Sequence, residues 1–132
     1  MRPAACACDA TGMPLRYLIV DDNASFLHTA ASLLEQQGVA VVGLASAIDD
    51  ALRLARELDP DVVLVDIMLG HESGFDLARR LAEMSPGGPT VILISTHAEA
   101  DFADLIAESP AAGFVPKPEL SAYAVQALLG AS

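Results

Sequence analysis

At 132 residues and 13.7 kDa, with 53% apolar and 5% aromatic side chains, the chain is long enough for one domain with a core built mostly of Leu, Val, Ile and Ala. A formal net charge of −11 argues against a domain that itself grips nucleic acid or an anionic membrane, because both need a basic face. No apolar run approaches the length that spans a bilayer, and the apolar stretch at residues 1–8 is too short for a secretory signal, so the cytoplasm is the expected compartment.

In chain order, Cys6 and Cys8 are the only cysteines. A pair two residues apart supplies neither a tetrahedral zinc site nor a favoured bridge, so both read as incidental. Residues 1–13 are expected to be a disordered extension or an upstream start, and residues 14–130 the folded domain. Residues 17–20 form a continuous apolar run, the pattern of a strand buried on both faces. Residues 23–37 put Phe26, Ala30, Leu33 and Leu34 on one helical face, with Gly38 as a C-terminal stop. A second strand spans 39–44. Ser46 with Asp49 resembles a capping box, opening a helix whose Ala51, Leu52, Ala55 and Leu58 point inward until Pro60 ends it.

Residues 62–65 form the third strand, and Ser73 with Asp76 caps a third helix bearing Leu77, Leu81 and Met84. Residues 85–89 read as a loop. A fourth strand covers 90–94. The fourth helix, near 99–108, carries an apolar stripe of Phe102, Leu105 and Ile106 and an acidic outer face of Glu99, Asp101, Asp104 and Glu108. That face is expected to be solvated, or to meet a basic partner if it is an interface. Gly113–Val115 is the fifth strand and 121–129 the last helix. Strands alternating with helices of this length imply right-handed crossovers and an α/β, doubly wound parallel sheet covered on both sides.

Ligands bind such sheets outside the carboxyl ends of the strands. Asp21 and Asp22 end the first strand, Asp66 the third and Ser95 the fourth, while Lys117, the only lysine, follows the fifth. Two carboxylates about 4 Å apart repel by roughly 4 kcal/mol at an effective dielectric near 20. A fold tolerates this only with a positive charge between them or one acid protonated. Mg²⁺ suits such a site, preferring oxygen ligands and bridging to phosphate. Lys117 adds a compact charge that pairs with an Asp at rest and with phosphate oxygens in a loaded state. Phosphoryl transfer asks little beyond positioning and charge neutralisation, and an Asp carboxylate can be its acceptor.

With these motifs the chain resembles a response-regulator receiver domain over residues 15–130. The carriers are the acidic pair, the Asp after strand three, the hydroxyl after strand four, Lys-Pro after strand five, and Gly74 eight residues beyond Asp66. The resemblance implies a flavodoxin-like five-stranded parallel sheet in order 2-1-3-4-5 with five helices. It makes Asp66 the phosphoacceptor, aided by Lys117 and Ser95. Asp21, Asp22, Asp66 and the backbone carbonyl of Met68 would hold Mg²⁺, and Ser95 and Phe114 would form the switch.

It also implies a sensor histidine kinase or phosphotransfer protein as donor, and an effector protein or a missing output domain downstream. No direct contact with nucleic acid or membrane is expected of this domain. No enzyme activity is expected beyond self-phosphorylation and self-dephosphorylation. Three features depart from the family pattern. Gly70 stands where Pro is usual and would loosen the loop after Asp66, Thr96 narrows access to the acceptor, and Met68 with His97 leaves the lifetime of the loaded state open. A phosphorylation-independent interaction module is the alternative. An Asp-nucleophile phosphatase is disfavoured, because Asp66 is followed by Ile67 and Met68 rather than a second acid two residues on. A dinucleotide site lacks its Gly-rich turn.

Overall fold

The computed structural model describes residues 15–84 and 88–130. The expected extension at 1–13, both cysteines and most of the loop at 85–89 lie outside that range. Among the described residues seven strands run in chain order: β1 (Arg16–Val20), β2 (Ala40–Ala45), β3 (Val62–Asp66), β4 (Met68–Leu69), β5 (Glu72–Ser73), β6 (Thr90–Ser95) and β7 (Gly113–Pro116). The helices are α1 (Ala24–Gln36), α2 (Ile48–Leu58), α3 (Gly74–Ala82), α4 (Ala103–Glu108) and α5 (Ala122–Gly130). The main sheet is parallel throughout, in order β2-β1-β3-β6-β7. This is the expected order once β4 and β5, a separate two-stranded ribbon, are set aside.

Alternation along each strand divides the core in two. Leu18, Val20, Val63, Val65, Leu93 and Phe114 pack with Ala51, Ala55, Leu77 and Leu81, so α2 and α3 cover that face. Tyr17, Ile19, Leu64, Ile92, Ile94 and Val115 pack with Leu27, Ala30, Leu34 and Val125, so α1 and α5 cover the other. The central strands are therefore apolar on both sides, which is why they read as unbroken apolar runs.

Local chemistry explains most boundaries. Asn23 caps α1, its side chain accepting the Phe26 N–H at 3.1 Å, and Gly38 takes the positive φ of 92° beyond the helix. Ser73 caps α3 by accepting the Phe75 N–H at 3.2 Å. On α1, Leu27 joins Ala30 and Leu34 as the buried residues, while Phe26 and Leu33 are half-buried.

Two further elements depart from expectation. The N-cap of α2 is Ala47, not Ser46, and a distant residue supplies the cap: the Glu72 carboxylate accepts the Ile48 N–H at 3.0 Å. The fourth helix is a 3₁₀ turn (Glu99–Phe102) followed by only six α-helical residues, with none of its side chains buried. Phe102 and Ile106 rest partly against the core, but Leu105 of the expected stripe is 51% exposed.

Candidate functional site

The period of two places the site residues on faces before any tertiary contact is considered. Asp21 continues the Tyr17–Ile19 parity, Asp66 that of Val62 and Leu64, and Lys117 that of Val115, all toward α1 and α5. Ser95 continues Val91 and Leu93, and Phe114 pairs with Leu93, so these two belong to the α2–α3 face.

Register then brings the acids together. Val20 pairs with Val65 on the adjacent strand, which sets Asp21 beside Asp66. Asp22 completes the group, with one oxygen of each of the three carboxylates lying within 4.8 Å of the others. Asp21 and Asp66 are buried and Asp22 is exposed, so the cluster opens to solvent on one side.

Lys117 lies two strands away and reaches back across the sheet end. Its Nζ is 2.6 Å from Asp21 Oδ2 and donates to Asp66 Oδ2 at 3.0 Å. The remaining oxygens are held by backbone: Asp21 Oδ1 accepts the Asn23 N–H at 2.9 Å, and Asp66 Oδ1 accepts the Met68 N–H at 3.1 Å. Burial pushes the Asp66 carboxyl above its ordinary range, opposed by Lys117 and the Met68 N–H and reinforced by the charge of Asp21. For Lys117, burial works to lower the ammonium pKa, but the two carboxylates prevail and hold it above its usual value. The lysine is a fixed cation in this setting.

Asp21 Oδ2 is buried, and its ion pair with Lys117 Nζ is the one polar contact found for it among the described residues. An oxygen-only donor set with one such sparsely partnered buried atom fits a hard divalent cation. Met68 presents its N–H to Asp66 and leaves its side chain half exposed.

Ser95 follows Ile94, the register partner of Asp66, and Phe114 lies one strand further out. The Ser95 hydroxyl accepts the His97 N–H at 3.0 Å and lies 3.4 Å from His97 Nδ1. The His97 ring is at the surface but packs edge-on against Phe102, with ring centroids 5.8 Å apart. Phe114 is buried in the core. Thr96 is exposed.

The segment after Asp66 is folded back rather than loose. Met68 pairs with Ser73 and Leu69 with Glu72, leaving Gly70 and His71 as a two-residue turn. Gly70 has a φ of 63° and is the only residue of that turn with positive φ, the pattern of a type II′ hairpin. Pro, with φ near −65°, cannot hold that place. Gly74 then returns the chain against β3: its N–H bonds the Ile67 carbonyl at 2.8 Å, and an added Cβ would collide with the Asp66 carbonyl oxygen.

Two neighbours of the site escaped the sequence reading. Glu72 joins the β4–β5 ribbon to α2, and the ring of Phe26 lies over Lys117 Nζ at 4.5 Å. Phe26 was legible as an apolar helix residue, but no spacing rule links it to a lysine 91 positions on.

The fold and site define an α/β module with an acid–lysine cluster at the carboxyl edge of a parallel sheet, and comparison with known proteins places it. Residues 17–128 match the response regulator receiver domain family, and the chain belongs to that family. It is 33% identical over 105 residues to the response regulator GacA of Pseudomonas aeruginosa, covering 78% of this chain and 48% of that protein. It superposes on the signal receiver domain of NarL from Mycobacterium tuberculosis with a TM-score of 0.77 and 29% identity, over 90% of this chain and 96% of that one. A response regulator from Burkholderia pseudomallei, determined with a phosphorylated aspartic acid, calcium ion and citrate, gives a TM-score of 0.75 and 30% identity over 87% of this chain and 66% of that one. The chain spans about half the length of the GacA relatives it matches.

Proposed function

We propose that Asp66 accepts a phosphoryl group from a histidine kinase or phosphotransfer protein, and that its modification switches a partner-binding face. In the transfer an Asp66 carboxylate oxygen bonds to phosphorus as the donor's P–N bond breaks, and the imidazole nitrogen keeps the electron pair. The observation that carries this reading is the bridge of the chain's only lysine between Asp21 and Asp66 at the carboxyl edge of the sheet. The phosphorylated aspartic acid of the Burkholderia relative supports it.

Asp21, Asp22 and Asp66, with the Met68 carbonyl, would hold Mg²⁺, which when bound supplies charge neutralisation for the incoming phosphoryl oxygens. Lys117 is already placed against Asp66 Oδ2 and keeps its proton, so it can follow that oxygen's charge onto the phosphoryl group. To donate to a phosphoryl oxygen, Ser95 Oγ turns its O–H away from His97 Nδ1. That turn frees a contact beneath the 3₁₀–α4 segment, which has no buried side chain to resist displacement. Phe114 on β7 would follow inward. We take residues 14–130 as the receiver unit. The output is an effector protein or an output domain, and the setting is the cytoplasm; no described helix is long and apolar enough to cross a membrane.

The test is incubation with Mg²⁺ and acetyl phosphate, followed by intact mass. Wild type should gain one phosphoryl group and Asp66→Asn none. Equal labelling of both, or of neither, would refute the assignment of Asp66.

A further inference from the structure

We propose that Phe26 is a positioning residue for Lys117: its ring closes the solvent side of the ammonium and keeps it aimed at the oxygen of Asp66 that carries the phosphoryl group. The inference rests on the phosphoacceptor reading of that carboxylate.

An ammonium has three N–H bonds to place. Lys117 Nζ meets Asp21 Oδ2 at 2.6 Å, Asp66 Oδ2 at 3.0 Å and the Phe26 ring centroid at 4.5 Å. The ring lies over the ammonium beside its two carboxylate contacts, and the Lys117 side chain is only 11% exposed. An aromatic face attracts a cation through its quadrupole, more strongly where water is excluded.

The placement of the ring is tied to the acid it serves. Asp21 Oδ1 accepts the Asn23 N–H, Asn23 Oδ1 accepts the Phe26 N–H, and the Phe26 ring returns to the lysine bound to Asp21. The closed circuit runs through the first turn of a 13-residue helix packed on the sheet, so the ring cannot drift far from the ammonium. When Asp66 becomes an acyl phosphate, its hold on Lys117 is exchanged for contacts to phosphoryl oxygens. The ring does not change in that exchange and limits where the ammonium can go. An aliphatic side chain of similar size would fill the same space without attracting the charge.

Because Lys117 is the only lysine, ¹³C,¹⁵N-lysine labelling gives a single side-chain spin system for the whole chain. In wild type its ε-methylene protons should be shifted upfield by the ring current. The shift should persist in Phe26→Tyr and vanish in Phe26→Leu. Loading by acetyl phosphate with Mg²⁺, followed by intact mass, should slow roughly three- to tenfold in Phe26→Leu and stay within about twofold in Phe26→Tyr. Melting curves confirm that both variants are folded, and the wild-type shift decides the contact even if one is not. Unshifted methylenes in wild type, a Leu variant that loads at the wild-type rate, or a Tyr variant as slow as Leu would each overturn the role of the ring. Wild type that takes no phosphoryl group would instead overturn the phosphoacceptor reading itself.

Discussion

Tyr17 carries a phenol into the core between the sheet and the α1–α5 layer, where its hydroxyl is buried with no hydrogen-bond partner among the described residues. Burial pushes its pKa from 10.0 to about 12. The unfolded chain thus releases this proton first. Stability is unaffected below pH 10 and falls as pH rises from there toward 12, by up to about 3 kcal/mol. Tyr17→Phe should remove that alkaline loss and gain roughly 1–2 kcal/mol at neutral pH by deleting an unpaired buried hydroxyl, measurable by urea unfolding at pH 7 and pH 11. Gly74 has the opposite character, because here a missing atom is required. Backbone cannot yield to a Cβ driven into the Asp66 carbonyl oxygen, so Gly74→Ala should cost about 2–3 kcal/mol and slow loading of Asp66. A variant of unchanged melting temperature would show that α3 can move away freely.

At the scale of elements, the loop after the acceptor strand is a built connector. The β4–β5 ribbon turns at Gly70 and presents Glu72 to the first N–H of α2, whose own cap position is an alanine without a capping side chain. A carboxylate there satisfies an orphan donor and meets the positive end of the helix dipole. Glu72→Ala should lower stability by about 1 kcal/mol and raise hydrogen exchange in the first turn of α2 before other helices. Exchange that is unchanged in that turn would remove Glu72 from the role. The short α4 is the counterpart: sequence periodicity promised an inward stripe, but the segment broke into a 3₁₀ turn and left Leu105 outside. An apolar pattern states which residues prefer burial, while the space left by α3 and β7 decides how many can have it.

At the scale of the molecule, the net charge of −11 is spread over a surface where the arginine pairs of α2 and α3 are exposed and worth little. The concentrated liability is the carboxylate group at the sheet edge, which a single lysine only partly offsets. A divalent ion held there should stabilise the fold by mass action, about 1.4 kcal/mol at ten times its dissociation constant. Mg²⁺ should therefore raise the melting temperature of wild type and leave that of Asp22→Asn nearly unchanged, as read by differential scanning calorimetry. An equal rise in both would place the ion elsewhere.

Fold class, strand sequence and the polar residues that end the strands were legible from residue order, because each depends on local terms. Unbroken apolar runs mark strands buried on both faces, turn and cap residues bound them, and a polar residue ending such a run must sit at a sheet edge. The same parity assigns Asp21, Asp66 and Lys117 to one face and Ser95 to the other. What residue order left open depends on chain segments far apart meeting in space. Register set Asp21 beside Asp66, the length of Lys117 spanned two strands, Glu72 found α2, and Phe26 came to lie over a cation 91 positions away. Those contacts carry no periodic signature, since their energy appears only after the sheet has closed and the helices have packed on it.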